Sequence, residues 1–232
     1  MTGASAPVGV SSASEPLYLV QHDPRRADLL RALLADLPVN TEVVADPGAH
    51  LPQRSPWRCY QACLERALEN GASHTVIVQD DVQVCLDFGA TVEKVIAARP
   101  DDPICIFTPG IGEHSRRILD ACYHSRHWAL LDPQLWTPVV CLIWPRPIVE
   151  RLLVWAEQKQ FPPSRFGDDS IIGEFCREEK VSVWATCPSL VEHPDMVRSL
   201  VGTAAFGGRN PGRCAACWVG REWSPLAVDW RV

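Results

Sequence analysis

The sequence predicts a single α/β domain with a mostly parallel central sheet and helices on both faces. The main observation is that short apolar strands alternate with helical segments along the first half of the chain. This order is typical of β-α-β units, in which each helix crosses from one parallel strand to the next. The length of 232 residues suffices for the core of one such domain. No segment is rich enough in Gly, Ser or Pro to indicate a linker between two domains.

Four strands and three helices are predicted in the first half of the chain. Each strand is a short apolar run, and each helix has apolar residues on one face. Pro38 and Gly71 end the first two helices, since proline interrupts a helix and glycine favours its C-terminus. The predicted strands cover residues 17–20, 41–45, 76–81 and 104–107, and the predicted helices cover residues 25–37, 57–70 and 88–98.

The second half departs from this alternation. Residues 109–137 contain two glycines, three histidines and two tryptophans, and we interpret them as an irregular insert. Further strands are predicted at residues 139–144 and 181–185, and further helices at residues 147–158 and 167–179.

The N-terminal residues 1–16 are small and polar, and they predict a flexible leader rather than a signal peptide. The formal net charge of −6 argues against a surface that coats nucleic acid, although it allows a local basic patch. No apolar run reaches the roughly 18 residues that a membrane helix needs. We therefore expect a cytoplasmic protein without a membrane partner.

Ten cysteines raise the question of disulfides or bound zinc. Eight of them are scattered through apolar segments, where a free cysteine behaves as a small hydrophobic residue. Only Cys214 and Cys217 form a CxxC pair, and a single pair is weak evidence for a metal. We expect mostly reduced thiols, as in cytoplasmic proteins.

Two adjacent carboxylates, Asp80 and Asp81, end an apolar run of strand length. The carboxyl end of a buried parallel strand is where open α/β sheets bind ligands. Neighbouring carboxylates are costly there unless a cation neutralises them, and a divalent metal that holds a diphosphate would do so. The alternative is a solvated turn after the strand.

A second acidic pair, Asp168 and Asp169, lies at the predicted start of a helix. Aspartate is a favoured N-cap residue, so one interpretation is purely structural. Two acids exceed what a cap requires, and if they face the first pair they can supply a catalytic base. His193 follows the last predicted strand, where it is either a metal ligand or an ordinary surface or packing residue.

Six short motifs in a fixed order carry a family resemblance. They are Val-Gln-His-Asp-Pro-Arg-Arg at 20–26, Pro-Trp-Arg-Cys-Tyr-Gln-Ala-Cys-Leu at 56–64, Val-Ile-Val-Gln-Asp-Asp-Val at 76–82, Trp-Pro-Arg at 144–146, Gly-Asp-Asp-Ser-Ile-Ile-Gly at 167–173 and Pro-Ser-Leu-Val-Glu-His-Pro at 188–194. Together they resemble the GT-A fold glycosyltransferases, in particular the small bacterial and phage type related to the LPS/collagen galactosyltransferase group. The resemblance spans about residues 16–202.

The resemblance implies one GT-A domain, with a Rossmann-like sheet, over residues 17–232. Within it we expect a nucleotide-binding half (17–108), an acceptor and catalytic half (109–202) and a C-terminal loop and tail (203–232). If the protein is encoded by a phage, it would act in the host cytoplasm.

The implied activity is transfer of a sugar from a nucleotide sugar, expected to be a UDP-sugar, with the help of Mn²⁺ or Mg²⁺. Asp81 resembles the aspartate that binds the metal, and His193 resembles the C-terminal metal or phosphate ligand. Asp80 resembles the neighbour that contacts the ribose or the donor sugar. Many relatives have Glu-Asp-Asp or Asp-x-Asp where this chain has Gln79 before the two aspartates, which leaves two anionic side chains there.

The same resemblance assigns the catalytic base to the second acidic pair, and we choose Asp169 over Asp168. His22, at the end of the first strand, and Arg58 are expected near the nucleotide. Departure of a nucleoside diphosphate needs positive charge, and an acceptor hydroxyl needs a carboxylate that takes its proton.

The segment from Val197 to Arg221 contains no acidic residue. It predicts a loop that closes over the donor phosphates, a patch for a phosphate-bearing acceptor, or an ordinary arginine-containing loop. The acceptor is then a glycan, a small molecule or a DNA base, as in phage enzymes that glycosylate modified bases. Trp128, Trp136 and Trp144 are candidates for a sugar or base platform, or for core packing. The candidate phosphate contacts are Arg198, Arg209, Arg213 and Arg221.

Two other classes of protein remain as alternatives. A nucleotidyltransferase would share the nucleotide-binding sheet and the acids at its strand ends, but it usually has a Gly-rich, basic loop after the first strand, which this sequence lacks. A non-catalytic zinc or nucleic-acid-binding module would need a second ligand pair for the CxxC pair and a basic surface, and the sequence shows neither.

Overall fold

The computed structural model describes residues 15–52, 55–161, 167–194 and 213–232. Of the predicted leader, residues 1–14 lie outside these ranges. Within them, no helix is long and apolar enough to cross a membrane. The helices are α1 (Ala27–Leu34), α2 (Pro56–Asn70), α3 (Phe88–Ala98), α4 (Gly112–Tyr123), α5 (Arg146–Lys159) and α6 (Asp168–Glu178). The strands are β1 (Leu17–His22), β2 (Glu42–Ala45), β3 (His74–Gln79), β4 (Gln83–Val84), β5 (Ile104–Cys105), β6 (Trp128–Leu130), β7 (Cys141–Pro145), β8 (Trp184–Thr186) and β9 (Val191–Glu192).

Seven strands form a central sheet in the order β2-β1-β3-β7-β5-β8-β6, and β4 and β9 form a separate pair. Five strands of the central sheet run in one direction, whereas β7 and β6 run in the opposite direction. The prediction of an α/β protein with a mostly parallel sheet is therefore confirmed. The sequence does not reveal that β7 is antiparallel, because apolar periodicity identifies a strand but not its direction.

Helices cover both faces of the central sheet, as predicted. Leu17 and Leu19 of β1 belong to one core, together with the apolar sides of α2, α4, α5 and α6. Tyr18 and Val20, the alternate residues of the same strand, belong to a second core with α1 and α3. One strand contributes to both cores because successive side chains point to opposite faces of a sheet.

The interpretation of residues 109–137 as an irregular insert is wrong. The segment contains α4, followed by the edge strand β6, which pairs antiparallel with β8. Ser115, Ile118 and Ala121 are buried at helical spacing on one face of α4. These few residues stand among many charged ones, so the helical period is weak in the sequence.

The edge of the sheet where β1 and β3 end is the place at which a ligand is expected. β1 lies between β2 and β3, so the chain moves to one side of β1 and then returns to its other side. Such a reversal opens a crevice at the carboxyl ends of the strands, where α/β proteins bind ligands. His22 is the last residue of β1 and Asp80 directly follows β3, so both lie at this crevice.

The C-terminal segment 213–219 is held to the body of the protein by backbone hydrogen bonds. The amide of Ala216 donates to the carbonyl of Thr108 (2.8 Å), beyond β5. The amide of Ser189, beyond β8, donates to the carbonyl of Cys217 (2.7 Å). The segment therefore lies between the residues that follow these two strands.

Candidate functional site

Asp80 and Asp81 are buried at the crevice, with 2% and 4% of their surfaces exposed. Asp80 Oδ2 accepts a hydrogen bond from the backbone amide of Asp23 (2.8 Å) and lies 2.8 Å from His22 Nδ1. These contacts form because β1 and β3 are parallel neighbours, so that their ends lie side by side. The interpretation of the two acids as a solvated turn is therefore wrong.

Arg26 contacts both carboxylates of this pair. Its Nη1 lies 3.0 Å from Asp80 Oδ1 and 2.6 Å from Asp81 Oδ2. Arg26 ends the 3-10 turn Pro24–Arg26, which follows β1 and is capped by the side chain of Asp23. Sequence reasoning alone assigns no role to Arg26, although its place in an Asp-Pro-Arg-Arg stretch directly after a strand is a signal for one.

His193 is buried beside Asp81, and its Nε2 lies 3.0 Å from Asp81 Oδ2. The contact depends on the two-stranded sheet, in which β4 begins just after Asp81 and pairs with β9, which ends just before His193. Asp81 Oδ1 and His193 Nδ1 are buried without a hydrogen-bond partner among the described residues. Buried polar atoms of this kind are uncommon, and a bound ion or water is one explanation for them.

The two acids of the first pair differ in their electrostatics. Burial acts to raise the pKa of Asp81, but the hydrogen bond with His193 and the nearby positive charges together outweigh it, and the pKa falls to about 2. The charges of Arg26 and Arg213 act in the same direction. The pKa of Asp80 is instead raised, because burial dominates there. Asp81 is therefore the firmly ionised member of the pair.

Asp168 begins α6 and is buried, with 5% of its surface exposed. Its Oδ2 accepts a hydrogen bond from Gln21 Nε2 (3.2 Å), so it lies beside the end of β1. Its Oδ1 accepts one from the backbone amide of Asp169 (3.0 Å). Burial, and then the charge of Asp169, raises the pKa of Asp168 to about 6. The N-cap residue of α6 is Gly167, so Asp168 does not cap the helix.

Asp169 is partly exposed, in contrast to its neighbour. Its Oδ1 accepts hydrogen bonds from the amide (2.7 Å) and the hydroxyl (3.2 Å) of Ser170. Its backbone carbonyl accepts one from the amide of Thr137 (3.3 Å), which joins the start of α6 to the segment before β7. Asp169 is therefore the member of the second pair that a bound molecule can reach.

Arg213 connects the two acidic pairs. It is partly buried, and burial lowers its pKa against the opposing charges of Asp81, Asp168 and Asp169. Gln21 contacts Asp168 and His22 contacts Asp80, so both acidic pairs lie at the end of β1, within reach of the charge of Arg213. The structure thus brings the two predicted acidic motifs together, with a guanidinium from the C-terminal segment near both.

Arg58 lies at the same edge of the sheet, one strand away. Its guanidinium forms two hydrogen bonds of 2.8 Å with the carboxylate of Asp46, just beyond β2. The amide of Asp46 donates to the carbonyl of His22 (2.9 Å), which connects this ion pair to the end of β1. Arg58 is therefore close to the crevice and is paired with Asp46.

The other predicted arginines are not placed at the crevice. Arg221 pairs with Asp36 (2.7 Å), at the surface beyond the end of α1. Arg198 and Arg209 lie outside the described residues. Of the four arginines predicted as phosphate contacts, the structure therefore places Arg213 at the site.

Of the three candidate platform tryptophans, Trp136 is the most exposed, at 43%. Trp144 is fully buried and donates a hydrogen bond to a tyrosine hydroxyl, and Trp128 donates one to a backbone carbonyl. Trp136 packs edge-on against His114, with ring centroids 5.9 Å apart. It directly precedes Thr137, which contacts the start of α6, so it is the one tryptophan of the three next to the second acidic pair.

No protein-family model matches the chain, and a search of curated proteins finds no similar one. A shared fold would in any case not define an activity, since one fold supports many. Function therefore has to be inferred from the chemistry of this crevice, which combines two acidic pairs, two histidines and two arginines.

Proposed function

We propose that the protein is a metal-dependent glycosyltransferase of the GT-A type, which transfers a sugar from a nucleotide-sugar donor to an acceptor hydroxyl. The observation that supports this most is that two acidic pairs share the crevice at the ends of β1 and β3. One pair contains a firmly ionised carboxylate, Asp81, beside an imidazole. The other contains a carboxylate that a substrate can reach, Asp169. Sugar transfer needs a charged donor to be bound and a hydroxyl to be deprotonated at one place.

Asp81 and His193 fit the requirements of a divalent cation such as Mn²⁺ or Mg²⁺. Asp81 Oδ2 and His193 Nε2 are 3.0 Å apart. Two neighbouring ligands at ~2.1 Å from one octahedral ion have about the same separation. The imidazole favours Mn²⁺, because Mg²⁺ prefers oxygen ligands. When bound, such an ion supplies positive charge to the diphosphate that leaves the sugar.

Arg26 and Arg213 supply further positive charge from the protein itself. Both act on Asp81, and phosphate oxygens are strong hydrogen-bond partners of a guanidinium. Arg26 also contacts Asp80 (3.0 Å), which allows two neighbouring carboxylates to remain buried before a donor binds. The two arginines thus orient the diphosphate and stabilise its charge.

Asp80 is positioned to accept hydrogen bonds from the ribose or the donor sugar. One of its oxygens is held by His22 and by the amide of Asp23, each at 2.8 Å. A carboxylate that is fixed in this way presents an acceptor in one direction, and it therefore favours one orientation of a ligand with many hydroxyls.

Asp169 is the proposed general base for the acceptor hydroxyl. It is partly exposed, whereas Asp168 is buried and accepts hydrogen bonds on both oxygens. Asp168 therefore positions the start of α6 against Gln21. The exposed ring of Trp136 offers a flat apolar surface nearby for the acceptor, which is a glycan, a small molecule or a DNA base.

A thermal-shift screen tests the proposal. The purified chain is mixed with UDP-sugars, other nucleotide sugars and nucleoside triphosphates, each with Mn²⁺, Mg²⁺ or a chelator. We expect the melting temperature to rise for a nucleotide sugar when the cation is present, because a ligand that binds only the native state stabilises it. The variant Asp81→Asn should lose this cation-dependent rise. The surface variant Arg221→Ala should keep it.

The outcomes separate the candidate activities. A rise with nucleoside triphosphates but not with nucleotide sugars would favour a nucleotidyltransferase. No rise with any nucleotide, in the presence of either cation, would contradict the proposal. Once a donor is found, release of nucleoside diphosphate in the presence of glycans, small molecules or DNA identifies the acceptor.

A further inference from the structure

Three cysteine thiols converge at a place that the proposed reaction does not use. Cys122 lies near the end of α4, Cys187 directly follows β8, and Cys217 belongs to the C-terminal segment. Their Sγ atoms all lie within 4.8 Å of one another. Those of Cys122 and Cys217 are 2.9 Å apart. Because the three residues come from separate elements, only the fold brings them together.

We propose that Cys122, Cys187 and Cys217 bind a thiophilic divalent metal ion, with Zn²⁺ as the expected one. Sites made of several cysteine thiolates are typical of structural zinc. Two thiolates at ~2.3 Å from a tetrahedral zinc ion are about 3.7 Å apart. All three sulfurs lie within 4.8 Å of one another, and those of Cys122 and Cys217, at 2.9 Å, would move apart by about 0.8 Å to bind the ion. Cys214 forms a CxxC pair with Cys217 in the sequence but does not belong to this group of three sulfurs.

The clustering of the three thiols is itself an argument for a shared partner, since their sulfurs lie within 4.8 Å of one another. Protonated thiols form only weak hydrogen bonds, so they gain little from lying together. A metal ion stabilises the three neighbouring thiolates, and their protons are released to solvent on binding.

A disulfide between Cys122 and Cys217 is the competing explanation. Their sulfurs are 2.9 Å apart, against about 2.05 Å in an S–S bond. A disulfide would leave Cys187 unused, whereas a metal uses all three thiols. Among the residues that the structure describes, no second group of three potential metal ligands lies as close together.

The metal would hold the C-terminal segment against the body of the protein. Cys217 lies a few residues after Arg213, which reaches the crevice, and the amide of Ala216 between them donates to Thr108 (2.8 Å). The thiol site therefore fixes the position of one of the two crevice arginines. This consequence for Arg213 rests on the proposed function, whereas the metal site itself does not.

Elemental analysis of the full chain, purified without added metal, tests the site. We expect about one equivalent of zinc per chain. The variant Cys187→Ser should lose the zinc. Two controls should keep it: Cys85→Ser, which changes a buried cysteine of the opposite core, and Asp81→Asn, which changes the other proposed metal site. Cobalt in place of zinc should give thiolate-to-metal charge-transfer absorption in the wild type and in Asp81→Asn.

The metal content and the cobalt spectrum of the wild type test the site even if Cys187→Ser does not fold, because neither measurement uses that variant. Absence of stoichiometric metal and of the cobalt absorption would overturn the proposal. Zinc that remains in folded Cys187→Ser, or a mapped Cys122–Cys217 disulfide in protein purified without reductant, would also overturn it. A zinc-loaded chain that binds no nucleotide sugar would count against the proposed function and would leave the zinc site supported.

Discussion

Two buried aspartates of this protein, Asp81 and Asp168, are almost equally inaccessible to solvent, but their pKa values are shifted in opposite directions. Their exposed fractions are 4% and 5%. Asp81 lies beside His193 and near two arginines, and its pKa falls to about 2. Asp168 accepts hydrogen bonds from amide groups and is near the charge of Asp169, and its pKa rises to about 6. Burial acts to raise both values, so nearby positive charge decides the sign of the net shift.

This difference assigns different tasks to the two pairs. An ionised carboxylate among cationic groups is suited to a charged ligand and its counter-ion. A pair in which one member is buried and the other is exposed is suited to proton transfer at the exposed member. The comparison can be tested at each residue by replacing Asp with Asn, which keeps the shape and removes the charge.

The substitution Asp169→Asn should have the largest effect, which is a loss of catalytic rate. The proton of the acceptor is transferred only in the transition state, so the single-turnover rate should fall by roughly 10² to 10⁴. Donor affinity, measured by calorimetry, should stay within a few-fold of the wild type. The exposed change Asp28→Asn on α1 is the matched control and should leave both quantities unchanged. An active Asp169→Asn beside an inactive Asp168→Asn would reverse the two roles, and two active variants would place the base elsewhere.

The next largest effect is on the free energy of unfolding, measured in urea with a chelator present. We expect Asp81→Asn and Asp168→Asn to change it in opposite directions. The pKa of Asp81 lies below its unfolded value of about 3.9, so its ionised form stabilises the native state above about pH 4. This contribution is lost as the pH falls toward 2. We expect Asp81→Asn to lower the free energy of unfolding near pH 7 by on the order of 2 to 3 kcal/mol.

At Asp168 the sign is reversed, because its folded pKa of about 6 lies above the unfolded value. The wild type should therefore lose stability as the pH rises from about 4 through 6, whereas Asp168→Asn should not. From about pH 4 to pH 7.5, the free energy of unfolding of Asp168→Asn should rise relative to that of the wild type by on the order of 2 to 3 kcal/mol. A loss of about 0.5 to 2 kcal/mol that is independent of pH would instead indicate a helix cap.

The smallest expected effect is on donor affinity, and it is measured by comparing substitutions of two arginines in the C-terminal region. Arg213 lies near both acidic pairs, whereas Arg221 pairs with Asp36 at the surface. A hydrogen bond to a charged group contributes about 1.5 to 3 kcal/mol, so Arg213→Ala should weaken donor binding by roughly 10- to 100-fold. Arg221→Ala should change it less than about two-fold, as is usual for surface ion pairs. Equal losses in both variants, measured by calorimetry, would show that Arg213 does not contact the donor.

Elements with regular apolar periodicity are predictable from this sequence. The observed α2 and α5 begin or end within one residue of their predicted bounds, and α3 coincides with its prediction. The helix α4 is missed because its buried face contains few apolar residues among charged ones. The sequence also does not predict which candidate tryptophan is exposed, since Trp144 is buried and Trp136 is exposed although both are the same residue type.

By itself, the sequence determines that two aspartates end a buried strand, that two more begin a helix, and that a histidine follows a late strand. Only the tertiary structure decides how the pKa of each is shifted and which of these residues lie together. His193 and Asp81 are 112 residues apart, and Cys122 and Cys217 are 95 residues apart. The physical reason is that periodicity reflects neighbours within one turn or strand. A pKa or a metal site instead depends on distances between remote residues, which the order and direction of the strands set.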